Sequence, residues 1–129
     1  MSKIKDPSLA NRGKLQYEWA KSHMLILNMA ISKMKKSKPL QNTKLGVCLQ
    51  ITKETSVFLM GLKELGAKVI CCGGNPLTTQ DDIAAFLESQ GIQIFAWSGQ
   101  NRLEYDWCQF QVLSYNPQII TDDGGDLHI

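Results

Sequence analysis

The sequence has no cysteine pair at metal-ligand spacing, few histidines and no apolar run long enough to cross a membrane. Its six thiol and imidazole side chains are widely scattered: Cys48, Cys71, Cys72, Cys108, His23 and His128. A zinc site needs four such ligands close together, so no metal site is expected. A membrane-spanning helix needs about 20 consecutive apolar residues, so no membrane association is expected either.

An excess of charge of one sign is also absent, because the net charge at pH 7 is only +2 over 129 residues. So small a charge does not indicate a nucleic-acid surface. The lysines that do cluster, between residues 33 and 44, follow a helical pattern, and a helix C-terminus favours cations. The first residues are polar, so no secretory signal is expected. We expect a cytoplasmic protein whose cysteines are small core residues.

What the sequence does contain is typical of a soluble globular protein, with 43% apolar and 20% charged residues. Its length predicts a single domain over residues 1–129 with a substantial core. The first periodic segment, residues 13–36, predicts one long N-terminal helix. Its large apolar residues recur at helical spacing and are expected to face the core: Leu15, Trp19, Ile26, Met29 and Met34.

Beyond residue 40, short apolar runs alternate with helical segments. The runs are KLGVCLQ, AKVICC, IQIFAW and PQIITDD, and each predicts a buried strand. Continuous apolar strands joined by helices are typical of a parallel sheet that is covered on both faces. The sequence therefore predicts an α/β fold with a doubly wound, mostly parallel four-stranded sheet, flavodoxin-like or Rossmann-like, preceded by the long helix.

Polar side chains follow each predicted strand. They are Gln50, Thr52, Glu54 and Thr55 after the first strand, Asn75, Thr78, Thr79 and Gln80 after the second, Ser98 after the third, and Asp123 and Asp126 after the fourth. The carboxyl ends of parallel strands meet at one edge of a sheet, and ligands bind in the crevice there. We therefore expect these side chains to surround one crevice.

A glycine pair, Gly73 and Gly74, stands where the second strand passes into a helix. Phosphate-binding loops occur at such positions, but neither G-x-G-x-x-G nor G-x-x-x-x-G-K-[ST] is present. Asp81 and Asp82 fall in the first turn of the predicted helix and complement its positive end. The pair is therefore not predicted to be a phosphate loop. The two threonines before these aspartates also fit capping boxes, which is a purely structural explanation of them.

Three carboxylates, Asp122, Asp123 and Asp126, lie within five residues around the pair Gly124 and Gly125. Two interpretations stay open: a functional cluster, or an acidic turn in which the glycines adopt positive φ. The strand-end residues offer carboxylates and amides without an arginine. Such a crevice suits an uncharged ligand with hydroxyl and amino groups, which describes a nucleoside better than a nucleotide.

Four ordered motifs resemble one known family. CLQITKET follows the first strand, NPLTTQDD the second, IFAWSGQNRLEYDWC surrounds the third, and IITDDGGDL includes the fourth. With YEWAKSHM in the first helix, they resemble the N-terminal substrate-binding portion of S-adenosylhomocysteine hydrolase (adenosylhomocysteinase). The resemblance implies an NAD-dependent cytoplasmic hydrolase of one-carbon metabolism that reversibly cleaves S-adenosylhomocysteine to adenosine and homocysteine. In that family NAD oxidises the ribose 3′-hydroxyl and so acidifies the 4′ hydrogen; thiol elimination, water addition and re-reduction follow.

The resemblance also implies roles for single residues. Thr52 matches a substrate-binding threonine, Glu54 and Thr55 match positions near the adenine, and Asp123 matches a catalytic aspartate of the 4′ proton transfer. Four further residues match family motifs in the same crevice and are implied to bind substrate: Asn75, Thr78, Gln80 and Asp126. Gln50 departs from the family, because a histidine usually stands there and glutamine cannot titrate near neutrality.

The family's NAD-binding domain has no counterpart in these 129 residues. The resemblance therefore implies that this chain alone does not bind NAD and is inactive until a complementing chain supplies the cofactor domain. It also implies a homo-oligomer. A second interpretation stays open, in which the chain is a non-catalytic module that binds adenosine or regulates a hydrolase. Gln50 in place of the histidine is the feature that favours this second interpretation.

Overall fold

A computed structural model describes residues 1–128 and has a sheet of four strands with helices between them. The strands are β1 (Lys44–Leu49), β2 (Lys68–Gly73), β3 (Gln93–Phe95) and β4 (Ile119–Asp122). The α-helices are α1 (Ala10–His23), α2 (Leu25–Met34), α3 (Lys53–Glu64), α4 (Asp81–Ser89) and α5 (Arg102–Ser114). A short 3₁₀ turn, Pro7–Leu9, leads into α1.

The sheet is parallel throughout, with the strand order β3-β2-β1-β4. The chain moves outward from β1 through β2 to β3 and then returns to place β4 on the other side of β1. The predicted fold class, a doubly wound α/β sheet with helices on both faces, is confirmed. Because all four strands run the same way, their carboxyl ends share one edge.

Alternating residues of each strand enter two separate cores, as the period of a β-strand requires. One face packs against α3 and α4, with α1 lying over these helices, and carries Leu45, Val47, Val69, Cys71 and Ile94. The opposite face packs against α5 and carries Cys48, Ile70, Cys72 and Phe95. All four cysteines are free thiols and buried, which confirms their predicted place in the core. Burial on both faces explains why each strand reads as a continuous apolar run.

The prediction of one helix over residues 13–36 is wrong in one respect, because the helix is interrupted at Met24, whose φ is −110° and ψ 59°. Side chains compete for the backbone acceptors at this point. Ser22 Oγ donates to the Trp19 carbonyl oxygen at 2.7 Å, and Asn28 Nδ2 donates to the Lys21 carbonyl oxygen at 2.7 Å. Such local bonds offer the backbone an alternative to the helical ladder.

The predicted buried face of this helix is also wrong. The five residues expected in the core are exposed, with relative exposures of 68% for Leu15, 54% for Trp19, 86% for Ile26, 60% for Met29 and 41% for Met34. The face of α1 that packs inward instead carries Gly13, Tyr17 and Ala20. The ring of Tyr17 stacks on Phe86 of α4 with centroids 4.7 Å apart. Among residues 1–128, no helix is both long and apolar enough to cross a membrane.

Candidate functional site

The strand order creates a switch point at the carboxyl ends of β1 and β4. The connection after β1 leads to one side of the sheet, whereas β4 arrives on the other side of β1. In open α/β sheets the ligand crevice opens at such a point. Asp122, at the end of β4, is the register partner of Cys48 near the end of β1. The turn after β1 and the loop after β4 therefore lie side by side at this edge of the sheet.

The turn after β1 carries four of the predicted residues. Gln50 and Glu54 are exposed, whereas Thr52 and Thr55 are half-buried. Thr52 is the N-cap of α3, and its hydroxyl accepts a bond from the Thr55 backbone N–H at 3.3 Å. The same hydroxyl lies 3.2 Å from Thr55 Oγ1. Thr52 and Thr55 thus build the start of α3, while the Gln50 and Glu54 side chains face solvent.

The loop after β2 lies directly against this turn. Gly74 N donates to the Leu49 carbonyl oxygen at 2.9 Å, and Gln80 N donates to the Ile51 carbonyl oxygen at 2.9 Å. A Cβ atom added at Gly74 would come within 3.1 Å of Gln50 N, so the backbones approach closely only because this residue is glycine. The structure therefore brings the predicted residues of the first two strand ends together.

Within that loop, Asn75 Oδ1 accepts a bond from Leu77 N at 2.8 Å and forms a local turn. Thr78 and Gln80 are exposed. Neither predicted capping box forms, because α4 begins one residue later than a Thr79 cap requires, with Gln80 at the N-cap and no side-chain cap bond. The hydroxyl of Thr79 is instead buried without a hydrogen-bond partner within the described residues.

The first turn of α4 carries Asp81 and Asp82, as predicted. Asp81 accepts a bond from Ser98 N at 3.0 Å, and Lys5 lies 3.8 Å from the same carboxylate. Arg12 lies 3.4 Å from Asp82. A groove of about 460 Å³ beside α1 is lined in part by Arg12, Gln80, Asp81 and Asp82. The positive end of α4 is therefore already complemented by protein carboxylates.

The loop after β4 is organised by Asp122. Its carboxylate accepts three backbone N–H groups: from Gly124 at 3.0 Å, from Gly125 at 2.9 Å and from Leu127 at 2.7 Å. Gly125 has a φ of +77°, so the turn does use one glycine in the left-handed region. The acidic pattern of the sequence groups Asp122 with its neighbours and does not indicate this role. An aspartate two residues before a glycine pair, in position to accept from the backbone N–H groups that follow it, is the signal that could have found it.

The three carboxylates of this loop therefore differ. Asp126 Oδ2 accepts a bond from the Tyr105 hydroxyl at 2.8 Å. Asp123 is exposed, and its carboxylate has no hydrogen-bond or ion-pair partner within residues 1–128. The sequence pattern does not indicate Tyr105 either, because an aromatic residue on a helix is ordinarily a core residue. Of the acidic cluster, Asp123 alone is left available to a ligand in the described chain.

The model of one protein family, S-adenosyl-L-homocysteine hydrolase, matches residues 1–129. The chain belongs to the S-adenosyl-L-homocysteine hydrolase family. It corresponds to the N-terminal portion of its relatives, as the motifs predicted. Within residues 1–128 the structure has no group of three or more histidine, cysteine, aspartate or glutamate side chains that could hold a metal ion.

Three curated members of the hydrolase family illustrate the similarity. The adenosylhomocysteinase of Sulfurisphaera tokodaii is 49% identical over 126 residues, and that of Aeropyrum pernix is 44% identical over 127 residues. The S-inosyl-L-homocysteine hydrolase of Methanococcus maripaludis is 42% identical over 127 residues. Each alignment covers 98% of this chain, but only 30%, 30% and 31% of the respective relatives. The chain thus spans about three-tenths of the length of these relatives.

Proposed function

We propose that this chain supplies the nucleoside-binding rim of an enzyme that hydrolyses S-adenosyl-L-homocysteine to adenosine and homocysteine. The observation that carries the proposal is the switch point between β1 and β4, which places the turn after β1 beside the loop that holds the unpartnered carboxylate of Asp123. Family membership over the whole chain supports the same reaction. The proposal extends to cytoplasmic localisation and to a homo-oligomeric enzyme.

The polar side chains at this rim have different proposed tasks. Asp123 transfers the proton at the ribose 4′ carbon, because a carboxylate without a protein partner is free to take part in acid–base chemistry. Glu54 accepts hydrogen bonds from the amino group of adenine, while Thr52 and Thr55 bind the nucleoside from the start of α3. Gln50 hydrogen-bonds the substrate but transfers no proton. Asn75, Thr78 and Gln80 form the wall contributed by the loop after β2.

NAD, when bound, supplies oxidation and re-reduction at the ribose 3′ carbon. The glycine pair of this chain does not fit a dinucleotide, because Asp81 and Asp82 occupy the first turn of α4, where a pyrophosphate would need free N–H donors. We therefore assign NAD to a complementing polypeptide or to a further region of the same protein. The residues described above bind and orient the nucleoside and hold the proton-transferring carboxylate.

Titration calorimetry of the 129-residue chain tests the binding step. Adenosine is expected to bind, and inosine to bind more weakly because it lacks the amino group proposed to face Glu54. Adenosine monophosphate is expected to bind least, since its phosphate would approach the acidic loop. The Glu54→Ala variant should remove the preference for adenosine over inosine. Absence of heat with every nucleoside would reject the binding proposal.

Gln50 favours a second candidate function, a non-catalytic adenosine-binding or regulatory module. The two functions are separated by mixing the chain with an NAD-loaded cofactor domain of a relative and measuring adenosine release from S-adenosylhomocysteine. An enzyme should turn over, should lose activity in Asp123→Asn, and should gain about a hundredfold in Gln50→His if a general acid–base group is restored. A module should bind adenosine yet show no turnover, even as Gln50→His in a stable complex.

A further inference from the structure

Tyr105, in the first turns of α5, donates its hydroxyl to Asp126 Oδ2 across 2.8 Å. We propose that Tyr105 and Asp126 form a positioning pair that holds the loop after β4 so that Asp123 faces the crevice. This inference rests on the proposed function, in which Asp123 is the catalytic aspartate. It changes the role of Asp126, a residue predicted to bind substrate, because one oxygen of its carboxylate is bonded to a tyrosine of the protein.

Tyr105 is well suited to serve as a fixed donor. Its side chain is only 8% exposed, and its backbone N–H donates to the Asn101 carbonyl oxygen at 3.0 Å. A capping box between Asn101 and Glu104 fixes the start of α5. Burial raises the pKa of the Tyr105 phenol well above its usual value, and the bonded Asp126 carboxylate raises it further. The hydroxyl therefore stays protonated and donates at every physiological pH.

The loop has two other anchors, and all three surround Asp123. The Asp122 carboxylate binds three backbone N–H groups, and Leu127 is 3% exposed within the core shared with Cys108. These two anchors tie the loop to the strand and to the core. The Tyr105–Asp126 bond connects the loop to α5. Hydrogen bonds to a charged group are shorter and stronger than neutral ones, so this contact restrains the loop effectively.

The test compares two tyrosines that each lose one bonded hydroxyl. Tyr105→Phe removes the donor at the loop, whereas Tyr115→Phe removes a hydroxyl that lies 3.3 Å from Gln93 Oε1 near the opposite end of the strands. Adenosine affinity is measured by calorimetry and stability by urea unfolding. Tyr105→Phe is expected to weaken adenosine binding about tenfold, the loss expected for one hydrogen bond to a charged group. Tyr115→Phe should leave the affinity unchanged.

Variants of Asp126, the hydrogen-bond acceptor, test whether keeping the bond preserves adenosine affinity. Asp126→Asn retains an oxygen for the Tyr105 hydroxyl and is expected to bind adenosine within about twofold of the wild type, since the bond is kept. Asp126→Leu should lose as much affinity as Tyr105→Phe, and the double variant should lose no more than either alone. Equal losses in both phenylalanine variants, or additive losses in the double variant, would overturn the positioning role.

If the wild-type chain fails to bind adenosine, the proposed function is rejected. The positioning pair can still be tested by a measurement that needs no ligand. Amide hydrogen exchange of Gly124 and Gly125, both bonded to Asp122, then reports on the loop directly. Tyr105→Phe is expected to speed their exchange about tenfold, whereas Tyr115→Phe should not change it. Equal exchange in all three proteins would overturn the inference.

Discussion

The two faces of the sheet are closed in different ways. The face against α3 and α4 is held mainly by apolar side chains, and α1 covers these helices and approaches α4 closely at Gly13. The face against α5 also buries polar groups, among them Gln100 and Gln109, and it carries the Tyr105 hydroxyl that reaches the loop after β4. The comparison indicates that one face mainly stabilises the fold, while the other positions the strand-end loops.

The largest expected effect concerns the first face. A Cβ atom at Gly13 would lie 1.9 Å from the backbone oxygen of Asp82, so Gly13→Ala must push α1 away from α4. We expect a loss of about 3 kcal/mol or more in the free energy of unfolding, as for overpacked cores, although alanine is the better helix former. Urea unfolding measures this change.

Asn11→Ala is the matched control, because it introduces the same residue at an exposed position of the same helix. It should leave the free energy of unfolding unchanged or raise it by a few tenths of a kcal/mol. Similar stability of Gly13→Ala and Asn11→Ala would show that the α1–α4 contact does not close this face.

Alkaline pH should weaken the α5 face. Burial raises the pKa of Cys108 from 9.0 to about 11. The folded protein therefore binds this proton more tightly than the unfolded chain does, so the stabilisation is complete below about pH 8 and is lost as the pH rises from about 9 toward 11. Urea midpoints measured from pH 7 to 11 should fall, and Cys108→Ala should flatten the fall. An identical pH profile in that variant would contradict the assignment.

A smaller effect is expected at the strand ends, where two threonines differ in their partners. The Thr79 hydroxyl is buried without a partner, whereas the Thr52 hydroxyl caps α3. Thr79→Val should leave the free energy of unfolding unchanged or raise it by up to about 1 kcal/mol, since it removes only an unpaired polar group. Thr52→Val should lower it by about 1 kcal/mol through loss of the cap. Equal losses in thermal or urea unfolding would contradict this distinction.

The smallest effect is expected outside both faces. Ile26 on α2 is 86% exposed. Ile26→Gln should therefore change the free energy of unfolding by no more than about 0.5 kcal/mol, the usual range for surface substitutions. Ile31→Gln on the same helix is the control, because that side chain is 8% exposed and should cost several times more. If Ile26→Gln lowers the free energy of unfolding as much as Ile31→Gln does, Ile26 is buried as the sequence predicted.

The strands and the carboxyl edge were predictable because their signals are local. Apolar runs such as those around Val47 and Cys71 mark strands that are buried on both faces, and a parallel sheet brings the residues after them to one edge. The orientation of the N-terminal helices was not predictable in this way. Leu15 and Tyr17 both fit helical periods, so periodicity does not decide which of them is buried. Tyr17 is buried because it shares a helix face with Gly13, whose lack of a side chain allows α1 to approach α4 closely.

The candidate site likewise has features that the sequence predicts and features that only the tertiary structure reveals. Residue types and order were enough to indicate the family and to place the segments that carry Thr52 and Asp123 at one edge of the sheet, because chain order and strand direction follow from the pattern along the chain. The pattern could not assign separate tasks to three neighbouring aspartates. That depended on which backbone N–H groups Asp122 reaches, and on a tyrosine 21 residues from Asp126 that packing brings within hydrogen-bonding distance. Contacts between residues distant in the chain exist only after folding, so tertiary structure alone decided them.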